Sequence, residues 1–232
     1  MTRGRMPRNT RPWHGSSVAA LAALILLAAE AGSEPLAAFE VRCAQLPASH
    51  FNVTMDPIAY AQDETQSIDQ LNLRSGHTPG MHLTFGLTSV NFAFHTTVEI
   101  RSLEDRDRAR ACGTLDVDVG LSMQPVTIYL AQELDGSPCA RTATMEHELK
   151  HVAVFRAVLD EAARDLAADL AGAIGTGLQR ARGPAELQRQ LNARVNDYLA
   201  EFMNRRRREL NDRQNEVDSP QEYARVKYAC SQ

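Results

Sequence analysis

The chain is predicted to be an α+β protein: a small antiparallel sheet followed by a long antiparallel helical hairpin. Three observations predict it. Apolar and polar residues alternate through much of 39–131, the period of a strand with one wet face. After Cys139 the apolar spacing becomes that of a helix and stays so over two long stretches. Between those stretches Gly172, Gly175, Gly177 and the pair Gly183-Pro184 punctuate the chain as a helix–helix link. With 232 residues, 44% of them hydrophobic and 23% charged, the chain has the size and composition of a single globular domain able to bury its own core.

Residues 1–31 read differently. Arg3, Arg5, Arg8 and Arg11 form a basic start, "VAALAALILLAA" (18–29) is an unbroken apolar run, and Ala29-Glu30-Ala31 is a small-x-small cleavage pattern. This is the layout of a secretory signal peptide, with a second possible cut after Ala38. Such a run spans roughly 18 Å as a helix, well short of a hydrocarbon core of about 30 Å. No other apolar stretch is long enough to span, so the reading is an exported protein, periplasmic or secreted, with no stable membrane span once the signal is removed and one domain over 32–232. The net charge of −4 gives no hint of nucleic-acid binding.

Within the domain, "HLTFGLTSV", "NFAFHTTVEI" and "GTLDVDVGL" alternate as strands, and "PVTIYLA" is a short apolar run led by Pro125. "SLEDRDRAR" (102–110) reads as a charged turn, and the polar residues 60–75 as a short helix. The first long helix is expected over about 142–173, capped by Thr142 or Thr144, on the stripe Val152, Phe155, Val158, Leu159, Ala162, Leu166, Leu170. The second is expected over about 184–217 on Leu187, Leu191, Val195, Tyr198, Leu199, Phe202. The arginines at 205–208 are read as a solvated face paired with nearby acids. Four cysteines in an exported chain imply two disulfides. Of three possible pairings, Cys112–Cys139 is favoured because it closes the segment before the first long helix, with Cys43–Cys230 tying the ends of the mature chain.

The chemistry is concentrated in "TATMEHELKHVAVF" (142–155). His147 and His151 are four apart, so on a helix both rings project from one face, one turn apart. That spacing brings two imidazole nitrogens to one Zn²⁺ at about 2.0–2.1 Å. Glu148 falls about 100° round the helix, beside the metal rather than bonded to it. There a carboxylate can move protons while the ion polarises a carbonyl and acidifies water. This is the H-E-x-x-H arrangement. The competing reading is a charged helix surface carrying two exposed histidines. His50, His77, His82 and His95 are scattered through the strand region and read as structural.

On these residues, "MEHELKHVAVFRAV" resembles the active-site helix of zincin metallopeptidases, and more specifically a bacterial family of secreted zinc-dependent proteases. The resemblance extends to "CGTLDVDVGLSMQPVTIYLA" upstream and to the tail "RQNEVDSPQEY", covering roughly residues 80–230. It implies a zincin-like domain, a zinc cofactor, a peptide or protein substrate, and an edge strand that holds extended peptide, for which "TIYLA" is the candidate. In the related tail motif a histidine stands where this chain has Tyr223.

The third protein ligand follows less directly. No histidine follows His151, and the Gly-x-x-His extension is absent, so a downstream ligand should be a carboxylate. Glu222 is taken as that ligand, with Asp218 from the same tail and Glu209 from the returning helix as alternates. A helical hairpin folding near residue 178 would bring Glu209 level with His147. The plain reading of Ser219-Pro220-Gln221-Glu222 is a helix start.

The function expected is that of an exported zinc-dependent peptidase with Glu148 as general base. The alternatives are a non-catalytic cell-envelope binding or assembly module with a structural metal site, and a zinc amidase acting on cell-wall peptides.

Overall fold

The structure is a computed structural model and describes residues 35–78 and 83–231. The signal-peptide reading of 1–31 and the reading of His82 lie outside them. In chain order the elements are α1 (Leu36–Ala44), β1 (His50–Met55), β2 (Tyr60–Asp63), α2 (Ile68–Arg74), β3 (Gly86–Asp105), β4 (Arg110–Leu130), a 3₁₀ turn (Gln132–Leu134), α3 (Pro138–Ile174), β5 (Gln179–Ala181), α4 (Pro184–Val217) and α5 (Pro220–Tyr228).

The expected small antiparallel sheet followed by a helical hairpin is not what forms. The chain is α+β with a mixed sheet built round β4. β3 pairs with β4 antiparallel along almost its whole length. On the opposite edge β1 and β2 lie end to end, both parallel to β4, and β5 adds an antiparallel segment near the start of β4. Five helices are present among the described residues, two of them before the long strands, and β5 separates α3 from α4. Alternation identifies a strand by its faces but carries no sign of the direction in which it pairs.

The four strand-like runs of the sequence prove to be two strands. A register shift lies between Val90 and Phe92, where the partner positions jump from Val126 to Met123. Two residues of β4 there oppose one of β3, so the parity of β4 changes across the bulge. The buried residues are Leu115, Val117, Val119, Leu121 and Met123 before it and Val126, Ile128 and Leu130 after it. One apolar face is thus kept through a chain that alternates out of step with itself. The charged segment 102–110 is mostly strand, with the turn confined to 106–109.

α3 starts four residues earlier than expected, with Ser137 at the N-cap and Pro138 in the first turn, where proline's missing N–H costs nothing. It ends at Gly175, whose φ of 87° suits a residue without a Cβ. Arg194 donates to the carbonyls of Ala173 and Ile174 at that end. α4 runs back along α3. Arg206 pairs with Asp165 at 2.5 Å, Arg213 with Glu161 at 2.6 Å, and Arg206 and Arg213 both hold Glu209. The core between sheet and helices is closed by Val152, Phe155, Val158, Leu159, Leu166 and Leu170 of α3 and by Leu187, Leu191, Val195, Leu199 and Phe202 of α4.

The disulfides are Cys43–Cys112 and Cys139–Cys230, not the favoured Cys112–Cys139 and Cys43–Cys230. Cys112 lies near the start of the 21-residue strand β4 and Cys139 follows its far end. At about 3.3 Å per residue that strand keeps the two apart. Cys43, on α1, packs instead on Cys112 beside Phe39 in a small second cluster.

The ion pairs between α3 and α4 carry a pH signature. The Arg213 guanidinium holds the Glu161 carboxyl below its ordinary range. A depressed carboxylate contributes stability above its unfolded pKa and loses it as pH falls through the folded value. Arg213→Met should therefore cost about 1 kcal/mol near neutral pH, with the gap to wild type closing as pH falls below that of an ordinary carboxylate. Urea unfolding at several pH values checks this.

Candidate metal centre and its cleft

His147 and His151 occupy the continuation of the apolar stripe of α3, in line with Phe155. Both are buried, as is Glu148, which is only 3% exposed. The competing reading, two exposed histidines on a charged helix surface, does not hold.

The two rings are fixed from behind. His147 Nδ1 lies 3.4 Å from Glu222 Oε1, and His151 Nδ1 donates to Gln214 Oε1. The orientation of the Gln214 amide follows from its other contact, in which Nε2 donates to the His151 carbonyl at 3.3 Å. With Nδ1 engaged on both rings, the Nε2 atoms turn toward each other, 3.3 Å apart. Asp218 Oδ1 completes a triangle at 3.3 Å from His147 Nε2 and 3.4 Å from His151 Nε2. Three ligand atoms bound to one tetrahedral ion at about 2.0–2.1 Å stand about 3.3–3.4 Å from one another. His147, His151 and Asp218 are therefore a triad that can hold a divalent metal. Two imidazole lone pairs and a carboxylate oxygen facing one point need a cation or a shared proton between them.

The expected third ligands separate cleanly. Asp218, at the C-cap of α4, supplies the third vertex. Glu222 lies behind His147 rather than at the vertex and is held by Lys150 at 2.6 Å and Arg225 at 2.8 Å. Glu209 is removed from the site by its pairs with Arg206 and Arg213. The physical reason is the link 175–183. It carries β5 and lets α4, which starts at 184 as expected, begin beyond the end of α3: Arg194 meets the Ile174 carbonyl and Gln214 meets His151, so the end of that helix, not its middle, comes level with His147. The tail does begin a helix. Ser219 accepts from the Glu222 N–H at 3.3 Å, and Pro220 sits in the first turn of α5. The Tyr223 hydroxyl donates to Asp218 Oδ1 at 2.9 Å.

Glu148 has its own seat, made by β3. Thr88 Oγ1 donates to Glu148 Oε2 at 2.7 Å. Gly86 lies so close that a Cβ there would stand 2.4 Å from Glu148 Oε1 and 2.6 Å from Thr144 Cγ2. Period-2 alternation puts Gly86 and Thr88 on the helix-facing side of β3, the side that Val98 and Ile100 occupy further along. Gly86, Thr88 and Gln214 were not singled out from sequence, and Thr144 only as a helix cap, a place that Ser137 takes instead; only the small residues at the start of "GLTSV" hint at the first two.

The edge strand is β3, not "TIYLA". Residues 127–130 lie within β4, flanked by β2 on one side and β3 on the other. Among the described residues β3 pairs only with β4. The Phe85 carbonyl accepts from the Ala131 N–H, so the alternating backbone groups of Gly86 and Thr88 face away from β4. They border a cleft of about 630 Å³ whose floor holds the triad and Glu148 and whose walls include Leu83, Phe85, Tyr223 and Val226. His77 lines its rim. His50 begins β1, and His95 lies across from Gly120 on the wet face of the sheet.

The electrostatics follow from this packing. Burial pushes the Glu148 carboxyl up, against the Thr88 hydrogen bond. Burial works the other way on Asp218 than its partners do. The hydrogen bonds from His147 and His151 win and hold its carboxyl far below the usual range. Burial opposes the charged form of His151, but Asp218 and Gln214 outweigh it and raise its pKa. Arg225, then Lys150 and His147, bring Glu222 down to about 2.

Two outcomes are expected. Gly86→Ala should cost about 1–3 kcal/mol through overpacking, and part of that cost should vanish in a Glu148→Ala background, the Thr144 contact remaining, as thermal unfolding of the double-mutant cycle will show. Asp218→Ala should weaken metal binding in a chelator competition by more than Glu222→Ala, which as an outer partner should cost about 10–100-fold. Compared with known proteins, the chain matches no family model, no curated protein and no solved structure.

Proposed function

We propose that the chain is an exported zinc-dependent peptidase. The observation that carries this reading is a buried carboxylate of raised proton affinity, Glu148, seated beside a triad of two imidazoles and an aspartate in the floor of an open cleft. Zinc is the inferred ion because three nitrogen and oxygen donors, with a fourth position left over, are the ligand count of catalytic zinc sites. Held by His147, His151 and Asp218, it would supply the Lewis acidity that polarises a carbonyl and acidifies water.

The chain's own residues supply the rest. The outward backbone groups of Gly86 and Thr88 can take up an extended peptide as an added strand. Glu148 accepts a proton from the attacking water and returns it to the departing amine, a role suited to a carboxyl whose pKa is raised toward the working pH. Thr88 holds one of its oxygens meanwhile. Glu222 and Gln214 keep the imidazoles turned to the triad. The resemblance of the H-E-x-x-H helix to zincin peptidases supports the assignment. Two disulfides and, among the described residues, no helix long and apolar enough to cross a membrane fit an extracellular protein; the proposed place of action is the periplasm or the medium.

Metal content by mass spectrometry, with casein and a peptide library as substrates, tests this. Glu148→Gln should retain zinc and lose about 10²–10⁴-fold in kcat, and His147→Ala should lose both. A Glu148→Gln variant as active as wild type refutes the mechanism. Cleavage of cell-wall peptides alone would make the enzyme an amidase of that material, and stoichiometric zinc without hydrolysis of either class would return the site to a binding or assembly role.

A further inference from the structure

α5 lends two side chains to the metal centre but has no core of its own. None of Pro220–Tyr228 is buried. Its polar ties to α3 are Lys150–Glu222 at 2.6 Å, Arg225–Glu146 at 3.6 Å and Glu222 against His147 Nδ1 at 3.4 Å. Ion pairs at a surface hold a segment weakly and are screened by salt. The one covalent tie is Cys139–Cys230, which joins the first turn of α3 to the residues just after α5. The two disulfides differ in access. Cys43 and Cys112 are 1% and 0% exposed, whereas Cys139 and Cys230 both lie on the surface.

We propose that Cys139–Cys230 is a reducible latch that seats α5 on the metal centre, so that opening this bridge lowers the metal affinity of the site. The proposal rests on the metal-centre reading above. Asp218 belongs to the end of α4 and stays when α5 leaves. What departs is the Tyr223 hydroxyl on Asp218 Oδ1 and the Glu222 carboxylate behind His147 Nδ1. Both orient ligand atoms, and outer partners of this kind are worth about 10–100-fold in metal affinity.

The opening reagent is a dithiol, whether a small molecule or a thiol–disulfide reductase. Its thiolate attacks one sulfur of the bridge to form a mixed disulfide, and its second thiol displaces the remaining protein sulfur. The chain gains two electrons and two protons as two thiols, and the dithiol leaves as its own disulfide. Cys43–Cys112, buried between α1 and β4, is out of reach of the same reagent, so the sheet and its core persist.

The test uses the full chain without denaturant. Dithiothreitol followed by iodoacetamide, with excess reagent removed, should label Cys139 and Cys230 and leave Cys43 and Cys112 paired. Zinc affinity, read by chelator competition, should fall about 10–100-fold, and amide exchange of residues 220–228 in the metal-free chain should rise. A Cys139→Ser/Cys230→Ser variant should reproduce both changes without reductant. Glu222→Gln and Tyr223→Phe should each cost affinity in the bridged chain and add little in the unbridged one, because their contacts are already lost. Unchanged exchange at 220–228, or a zinc affinity within about twofold of the bridged value, overturns the latch. A bridged chain that takes up no zinc refutes the metal reading instead, and the exchange measurement then still decides whether the bridge seats α5.

Discussion

The constraint on which the rest depends is the meeting of three electron-pair donors at one buried point. An amphipathic helix spends its inward face on apolar packing, and α3 does so from Val152 to Ile174. One turn before Phe155 the same face carries His151, and one turn before that His147. Imidazoles in that position are costly unless their polar atoms are satisfied. The surrounding chain satisfies them in a particular way: one nitrogen of each ring is engaged from behind and the other is aimed at Asp218. Gln214, Glu222 and Tyr223 are explained by that demand. Lys150 and Arg225 are explained one step further out, since they hold Glu222 as an anion.

The sheet contributes in a less familiar way. β3 is both a wall of the core and the roof of the Glu148 seat. Where it crosses the core it presents Val98 and Ile100. Where it crosses the first turns of α3 it presents a hydroxyl and a bare backbone, Thr88 and Gly86. Bulk at either position would deny Glu148 its place, so the same strand sets both the packing and the proton affinity of the acid beneath it.

What could be read from the letters was what depends on local spacing. Two histidines a turn apart with a glutamate between them declare themselves on any helix, and the period of Val152, Phe155, Leu159 and Leu166 shows which side of that helix turns inward. What could not be read depends on chain paths that no short window contains. The direction of β1 and β2 is decided by where they dock on β4. The cysteine partners are decided by the length of β4 and by the return of α5 to the start of α3. The third ligand is decided by how far the link 175–183 offsets α4 along α3, which moves the residue level with His147 from Glu209 to Asp218. Glu222 is the instructive case. Its chemistry suits a ligand, and it does approach His147, but from the side of the wrong nitrogen.

The bulge opposite Asn91 has a consequence for how this protein can change. Because two residues of β4 face one of β3 there, β4 reverses its parity across the bulge while β3 keeps one parity from Ile100 to the cleft. Removing one residue of β3 between Thr88 and Phe92 would leave the apolar wall intact on the far side of the bulge and turn the cleft end of that strand over, sending the hydroxyl and the bare backbone to the wet face and bringing Leu87 down onto the acid. A one-residue change of length in that part of β3 therefore strikes the acid's seat first and the lower wall last, an unusual separation for a single strand.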